Sequence, residues 1–111
     1  MVDKAILALE NEADQLRADG KNEEAVQKLQ EVLEKDPNYV RAYLGLSVLY
    51  HKIGHHEQSV AAAEKAVQLE PDDAFNYTAL SVTYQRAFEG TRDPAYIQKA
   101  EEAKARASMM R

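Results

Sequence analysis

The chain contains no cysteine, so disulfides and thiol catalysis are excluded. Its four glycines stand singly at 20, 45, 54 and 90, and none belongs to a glycine-rich loop able to cradle phosphate. No apolar run approaches the ~20 residues that a membrane-crossing helix needs, so no membrane span is expected. The start, Met1-Val2-Asp3-Lys4, lacks the cationic-then-apolar pattern of a secretory leader. A cytoplasmic setting is therefore the default expectation. Basic residues number 14 against 19 acidic ones, for a formal charge of −5. Phosphate-backbone binding needs clustered Lys and Arg, and without a basic stripe no nucleic-acid partner is expected. The acidic excess sits in the first third: residues 1–36 hold 10 acidic and 5 basic side chains, residues 37–111 hold 9 of each.

What the chain does have is a period. A shift of 34 residues lays Pro37, Tyr43, Leu46, Ser47, Val48 and Tyr50 over Pro71, Tyr77, Leu80, Ser81, Val82 and Tyr84, and Gly20 over Gly54. A fixed repeat of that length marks a stacked array in which each unit is one supersecondary element. Such a unit cannot bury its apolar face alone, so neighbours share one core. The run Tyr43-x2-Leu46-Ser47-x2-Tyr50, then Ser59-x3-Ala63, then Pro71, resembles the tetratricopeptide repeat pattern. Tyr77-x2-Leu80-Ser81-x2-Tyr84 repeats its first half, Ala25-x3-Leu29 with Pro37 gives an earlier second half, and Leu9, Ala13 and Leu16 supply a worn first half.

The resemblance spans the chain as one domain, 1–111, with repeats near 6–39, 40–73 and 74–111. It implies an all-α fold, a right-handed superhelical array of three helix-turn-helix repeats with six helices. The third unit departs from the pattern, because Phe88 stands where the next glycine would fall. The polar stretch Glu89-Gly90-Thr91-Arg92-Asp93 ahead of Pro94 reads as a lengthened turn over 88–93.

Periodicity and punctuation place the helices at 3 to about 18, 22 to about 35, 38 to about 53, 56 to 69, 73 to about 87, and from 93 onward. Gly20 ends the first. Asn22, Asn38, Asp73 and Asp93 are the expected N-terminal caps, and Pro94 suits a first turn. Asp36-Pro37 stops the second helix, since a residue before proline avoids the helical region.

In an array of this family, one face of each first helix lines a concave surface. The resemblance implies that this face includes Arg41, Leu44, Val48, His51 and Lys52, then Phe75, Thr78, Val82, Gln85 and Arg86, with Leu7, Glu10, Asp14 and Arg17 from the earliest unit. These make an apolar floor from Leu44, Val48, Phe75 and Val82. Arg41, His51, Lys52 and Arg86 form a cationic rim, with Glu10 and Asp14 at the other end. Apolar floors with polar edges take up peptide segments or amphipathic helices. The competing reading is that the chain's own last helix, or a second copy, covers that floor.

The expected function is a non-enzymatic scaffold that binds a peptide or helix of a partner protein. The alternative is a self-associating array that forms a homo-oligomer through its groove or its alanine-rich last helix with Met109 and Met110. The family's best-known ligands are the acidic C-terminal tails of cytosolic heat-shock chaperones, held by Lys, Asn and Arg at set positions. Here those positions carry Glu10, Asp14, Gly45, Phe75 and Ala79. A carboxylate tail would meet repulsion there instead of charge-assisted hydrogen bonds.

No cofactor, metal or catalytic set is expected. His51, His55 and His56 with Glu57 offer imidazoles, but adjacent His55 and His56 in a turn point apart and no cysteine joins them. They read as a solvated polar turn. Asn76-Tyr77-Thr78 matches the glycosylation acceptor pattern inside an expected helix, where chance explains it. Ser47, Ser59 and Ser81 occupy positions where the family uses small residues for close packing, and fold alone never settles activity.

Overall fold

A computed structural model describes residues 3–110. Met1, Val2 and Arg111, the ends of the expected domain, lie outside the described residues. Among those described, six helices and no strands are present: α1 (Lys4–Ala18), α2 (Asn22–Lys35), α3 (Val40–Lys52), α4 (His56–Leu69), α5 (Ala74–Thr91) and α6 (Ala95–Met109). Each packs on the next in chain order, and α3 also touches α5 directly. The result is an all-α helical repeat array.

The 34-residue step holds down to single hydrogen bonds. The Gly20 and Gly54 amides donate to Arg17 and His51 carbonyls, both at 3.0 Å, and the Lys21 and His55 amides donate to Leu16 and Tyr50 carbonyls, both at 2.8 Å. Gly20 and Gly54 have φ +78° and +81°, a left-handed conformation that glycine takes without a Cβ penalty. Between hairpins, Gln30 Nε2 donates to Tyr50 Oη at 3.0 Å. One step on, Tyr84 Oη donates to Glu64 Oε2 at 2.6 Å. The repeat tyrosines thus tie a second helix to the first helix that follows it.

Apolar stripes meet in connected clusters. Ala13, Ala25, Val26, Leu29, Leu46, Leu49 and Ala62 bury one against another across α1 to α4. Val60, Ala63, Leu80, Tyr84, Ala87, Ala100 and Ala103 continue the core across α4 to α6. Ile6, Val32 and Ala42 close the junction of α1, α2 and α3. The buried serines are spent on backbone: Ser59 Oγ donates to the Ser47 carbonyl at 2.6 Å and Ser81 Oγ to the Ala100 carbonyl at 2.9 Å. Each hydroxyl joins the two helices of one hairpin.

Several expected termini differ. Asp73 caps α5, accepting from the Phe75 amide at 2.9 Å, and Asp93 accepts from the Ala95 amide at 3.0 Å ahead of α6. Asn22 does not cap α2. It is the first helical residue, Lys21 takes the cap position without a side-chain bond, and the Asn22 side-chain oxygen is buried without a partner. Asn38 likewise gives way to Tyr39 at the start of α3, because Asp36 Oδ1 accepts the Asn38 amide at 3.0 Å and folds the turn one residue earlier.

The larger correction concerns residues 88–93. The expected long turn is mostly helix, since α5 continues to Thr91 and is terminated only at Arg92, with φ 63°. Phe88 cannot take the positive φ of a turn glycine at low cost, so the helix runs on by about one turn. Gly90 is then a packing residue. A Cβ there would overlap the His56 imidazole of α4, so its absence lets the end of α5 lie on the start of α4.

Two effects therefore oppose each other at Gly90. Alanine favours a helix over glycine by about 1 kcal/mol, while overpacking a formed contact costs about 1–3 kcal/mol. Gly90→Ala is expected to destabilise the protein by about 1 kcal/mol in urea unfolding. In a His56→Ala background the same change is expected to stabilise it by up to ~1 kcal/mol, a sign reversal that reports the contact.

Candidate functional site

The residues expected to line the concave face come from α3 and α5, which start 34 residues apart, although α5 runs on to Thr91. They gather in three places. At the starting end, Arg41, Leu44 and Phe75 line a depression of about 430 Å³ together with Tyr39, Val40, Asn38, Asn76, Glu70 and Asp73. No residue of α6 lines it, and Phe75 is 64% exposed. At the finishing end, His51 lies within the fields of Lys52 and Arg86. On the outer flank of α5, Thr78, Val82 and Gln85 share a second depression of about 420 Å³ with Ser81 and with Lys104, Ala107 and Ser108 of α6. Leu44 and Val48 are half-buried and Val82 is 37% exposed. The last helix therefore borders the Val82 side and leaves the Leu44–Phe75 side uncovered.

Between α1 and α3 the concave face is pinched. Arg41 Nη2 and Glu10 Oε1 stand 2.9 Å apart, and Tyr39 Oη donates to the same carboxylate oxygen at 2.6 Å, with Tyr39 and Arg41 also in contact. Burial, then the Glu10 hydrogen bond, raises the Tyr39 pKa above its usual value. Only about 60 Å³ remains there, lined by Glu10, Asp14, Arg17, Arg41 and Gly45 among others. Arg41 is thus occupied by Glu10 and contributes no free positive charge to the rim. Tyr39 as the third member was not legible in the sequence, because an aromatic before a first helix reads as a packing residue.

His51 also departs from the expected cationic rim. Burial lowers its pKa first, with Arg86, His56 and Lys52 adding to the effect and Glu89 opposing it. It is neutral at pH 7. Its ring lies 5.6 Å from that of His56, tilted by 54°, and both Nδ1 atoms are buried without a hydrogen-bond partner. His55 turns elsewhere and stacks on Tyr50 at 6.2 Å. Among the described residues no three His, Asp or Glu side chains converge on a point. None of the described helices is long and apolar enough to cross a membrane.

Asn76 was expected only as a chance match to an acceptor pattern. It is 1% exposed, and its side-chain amide donates to the Glu70 carbonyl at 3.1 Å, holding the α4–α5 turn beneath Phe75. It occupies the repeat position of Ala42, so a polar residue at a core position was the signal that a buried backbone partner awaited it.

The arrangement defines a helical repeat array with an uncovered, half-apolar depression where α3 and α5 begin. The sequence profile of the tetratricopeptide repeat matches residues 16–81, and the chain belongs to that family. Among solved structures, the second TPR of Spaghetti (RPAP3), bound to the HSP90 peptide SRMEEVD, is similar with a TM-score of 0.77 at 14% identity, over 97% of this chain and 94% of that one. MamA is similar with a TM-score of 0.70 at 24% identity, over 94% of this chain but 61% of that one, so the chain spans about three fifths of MamA. The TPR2B domain of yeast Sti1 in complex with pHsp70 is similar with a TM-score of 0.67 at 15% identity, over 98% of this chain and all of that one. Likenesses at these identities speak for the fold. No match is found among curated proteins.

The sign of the pH dependence follows from His51. Its folded pKa is depressed below the unfolded value, so over the interval between the two the unfolded chain binds more protons and stability rises with pH. The contribution is present above about pH 6.5 and is lost as pH falls below it. Urea midpoints are expected to drop from pH 7.5 to pH 5.5. Arg86→Gln is expected to make that drop smaller, and imidazole NMR titration of His51 checks the assignment directly.

Proposed function

We propose that this protein is a non-enzymatic interaction module that holds a peptide segment or helix of another protein along the concave face of α3 and α5. The observation that carries this reading is the uncovered depression holding Leu44 beside a 64% exposed Phe75. Large exposed aromatics bordering a half-apolar hollow are the usual anchors of peptide capture. The candidate contact residues are Arg41, Leu44, Val48, His51, Lys52, Phe75, Thr78, Val82, Gln85 and Arg86. Similar folds solved with HSP90 or Hsp70 ligands support peptide capture as a class of activity. The chaperone tail itself is not proposed, because the places where that tail would need cations hold Glu10, already paired with Arg41, and Asp14.

Self-association is the second reading, favoured by Ile97 and Met109, which are 48% and 80% exposed on α6. Light scattering across a wide concentration range decides between them. A constant monomer mass is expected.

The groove itself is tested by selecting displayed random peptides on the protein and titrating the synthetic winners. Val48→Asp would place a charge against whatever apolar group lies on the floor, at a cost on the order of 3 kcal/mol, or about a hundredfold in affinity. Loss of binding with an unchanged helical circular dichroism spectrum is the expected result. Retained affinity in the variant would remove the groove from consideration.

A further inference from the structure

The proposed groove is electrically polarised along its length, and the present inference rests on that groove being the binding surface. Where α3 and α5 begin, the depression beside Leu44 and Phe75 is bordered by the acidic residues Glu70 and Asp73. Arg41 is nearby but is neutralised by Glu10 at 2.9 Å. Where α3 ends, Lys52 and, across from it within α5, Arg86 bring positive charge around His51. Glu89 opposes their effect at His51 and lies almost a turn beyond Arg86. Among the described residues, neither Lys52 nor Arg86 has a carboxylate within ion-pair distance, and neither do Glu70 and Asp73 have a cation. The two ends therefore carry opposite, unpaired charge with an apolar floor between them.

We propose that the groove takes an extended segment of a partner protein in one electrical orientation. A Lys or Arg next to a bulky apolar side chain lies at the Glu70–Asp73 end, and an Asp or Glu lies at the Lys52–Arg86 end. Eleven residues of helix separate Arg41 from Lys52, a span of roughly 16 Å at 1.5 Å per residue. An extended chain rises about 3.3 Å per residue, so the apolar anchor and the acidic residue stand about five positions apart. Complementary charge of this kind selects orientation and rejects wrong partners more than it adds affinity. Reversing both ends replaces two weak attractions by two repulsions and shifts affinity by about tenfold, and salt weakens the discrimination.

The test uses four synthetic peptides: Lys-Phe-Ser-Gly-Ser-Ser-Glu, its charge-swapped form Glu-Phe-Ser-Gly-Ser-Ser-Lys, and both sequences written backwards. Reversal of the sequence matters because the charges fix the electrical order and not the chain direction. Binding is followed through the methyl NMR signals of Leu44 and Val48, which report even weak complexes. The expected result is that a peptide with lysine beside phenylalanine binds about tenfold more tightly than its charge-swapped form. Lys52→Glu combined with Arg86→Glu, with circular dichroism verifying the fold, is expected to erase or invert that preference. Equal affinities for the two charge orders, with both methyl signals moving, would overturn the polarity and leave the groove standing. Absence of any shift at Leu44 and Val48 with every peptide would overturn both the polarity and the groove beneath it.

Discussion

Close approach of helix backbones is the constraint on which this array depends. Ala25, Ala42, Ala63 and Ala66 are wholly buried, and the largest fully buried side chains are only Leu49, Val32 and Asn76. Small residues at crossing points let neighbouring helix backbones approach closely. Dispersion between many short contacts then replaces the bulk of a large aromatic core. The serine bonds within hairpins follow from the same closeness, because a hydroxyl reaches a neighbouring helix's carbonyl only when the backbones are near. With the hairpins held this way, α3 and α5 touch directly, and the proposed binding surface runs along both.

That surface is uneven for electrostatic reasons. Between α1 and α3, Glu10 accepts from both Tyr39 and Arg41 and draws the helices together. Between α3 and α5, the step-related neighbours are Phe75 and Asp73 in place of Arg41 and Tyr39, and they make no such clasp. The hollow opens where the clasp is missing. The same substitution that removes the ion pair leaves an exposed aromatic at the mouth of the hollow, so absence of the clasp and presence of an anchor are one event in the sequence.

Much of this was legible beforehand. The 34-residue period, the glycines at 20 and 54, and the caps at Asp73 and Asp93 act locally, through backbone conformation and side chains two residues away. Local physics is what a sequence displays most directly. Asn22 and Asn38 failed as caps because a cap is decided by which neighbour takes the turn first, and Asp36 took it ahead of Asn38. The rim was misjudged for a different reason. Arg41 lies 31 residues from Glu10, and its pairing depends on how two hairpins nest. His51 is neutralised by burial and by Arg86, both of which exist only in the folded array.

The last hairpin shows how one missing glycine propagates. Phe88 stands where Gly20 and Gly54 set the earlier turns, so α5 gains about one turn and the left-handed conformation passes to Arg92, a residue that pays of order 1 kcal/mol for it. The Arg92 guanidinium lies 5.6 Å from the Phe88 ring centroid, a contact that offsets part of that cost. The added turn carries Glu89 toward His51 and sets Gly90 on His56. The charge balance at the finishing end of the groove is therefore shaped by a turn formed one position late. A glycine at 88 would shorten the helix, remove Glu89 from the vicinity of His51 and leave Lys52 and Arg86 unopposed, so the polarity of the groove and the length of α5 belong to the same structural fact.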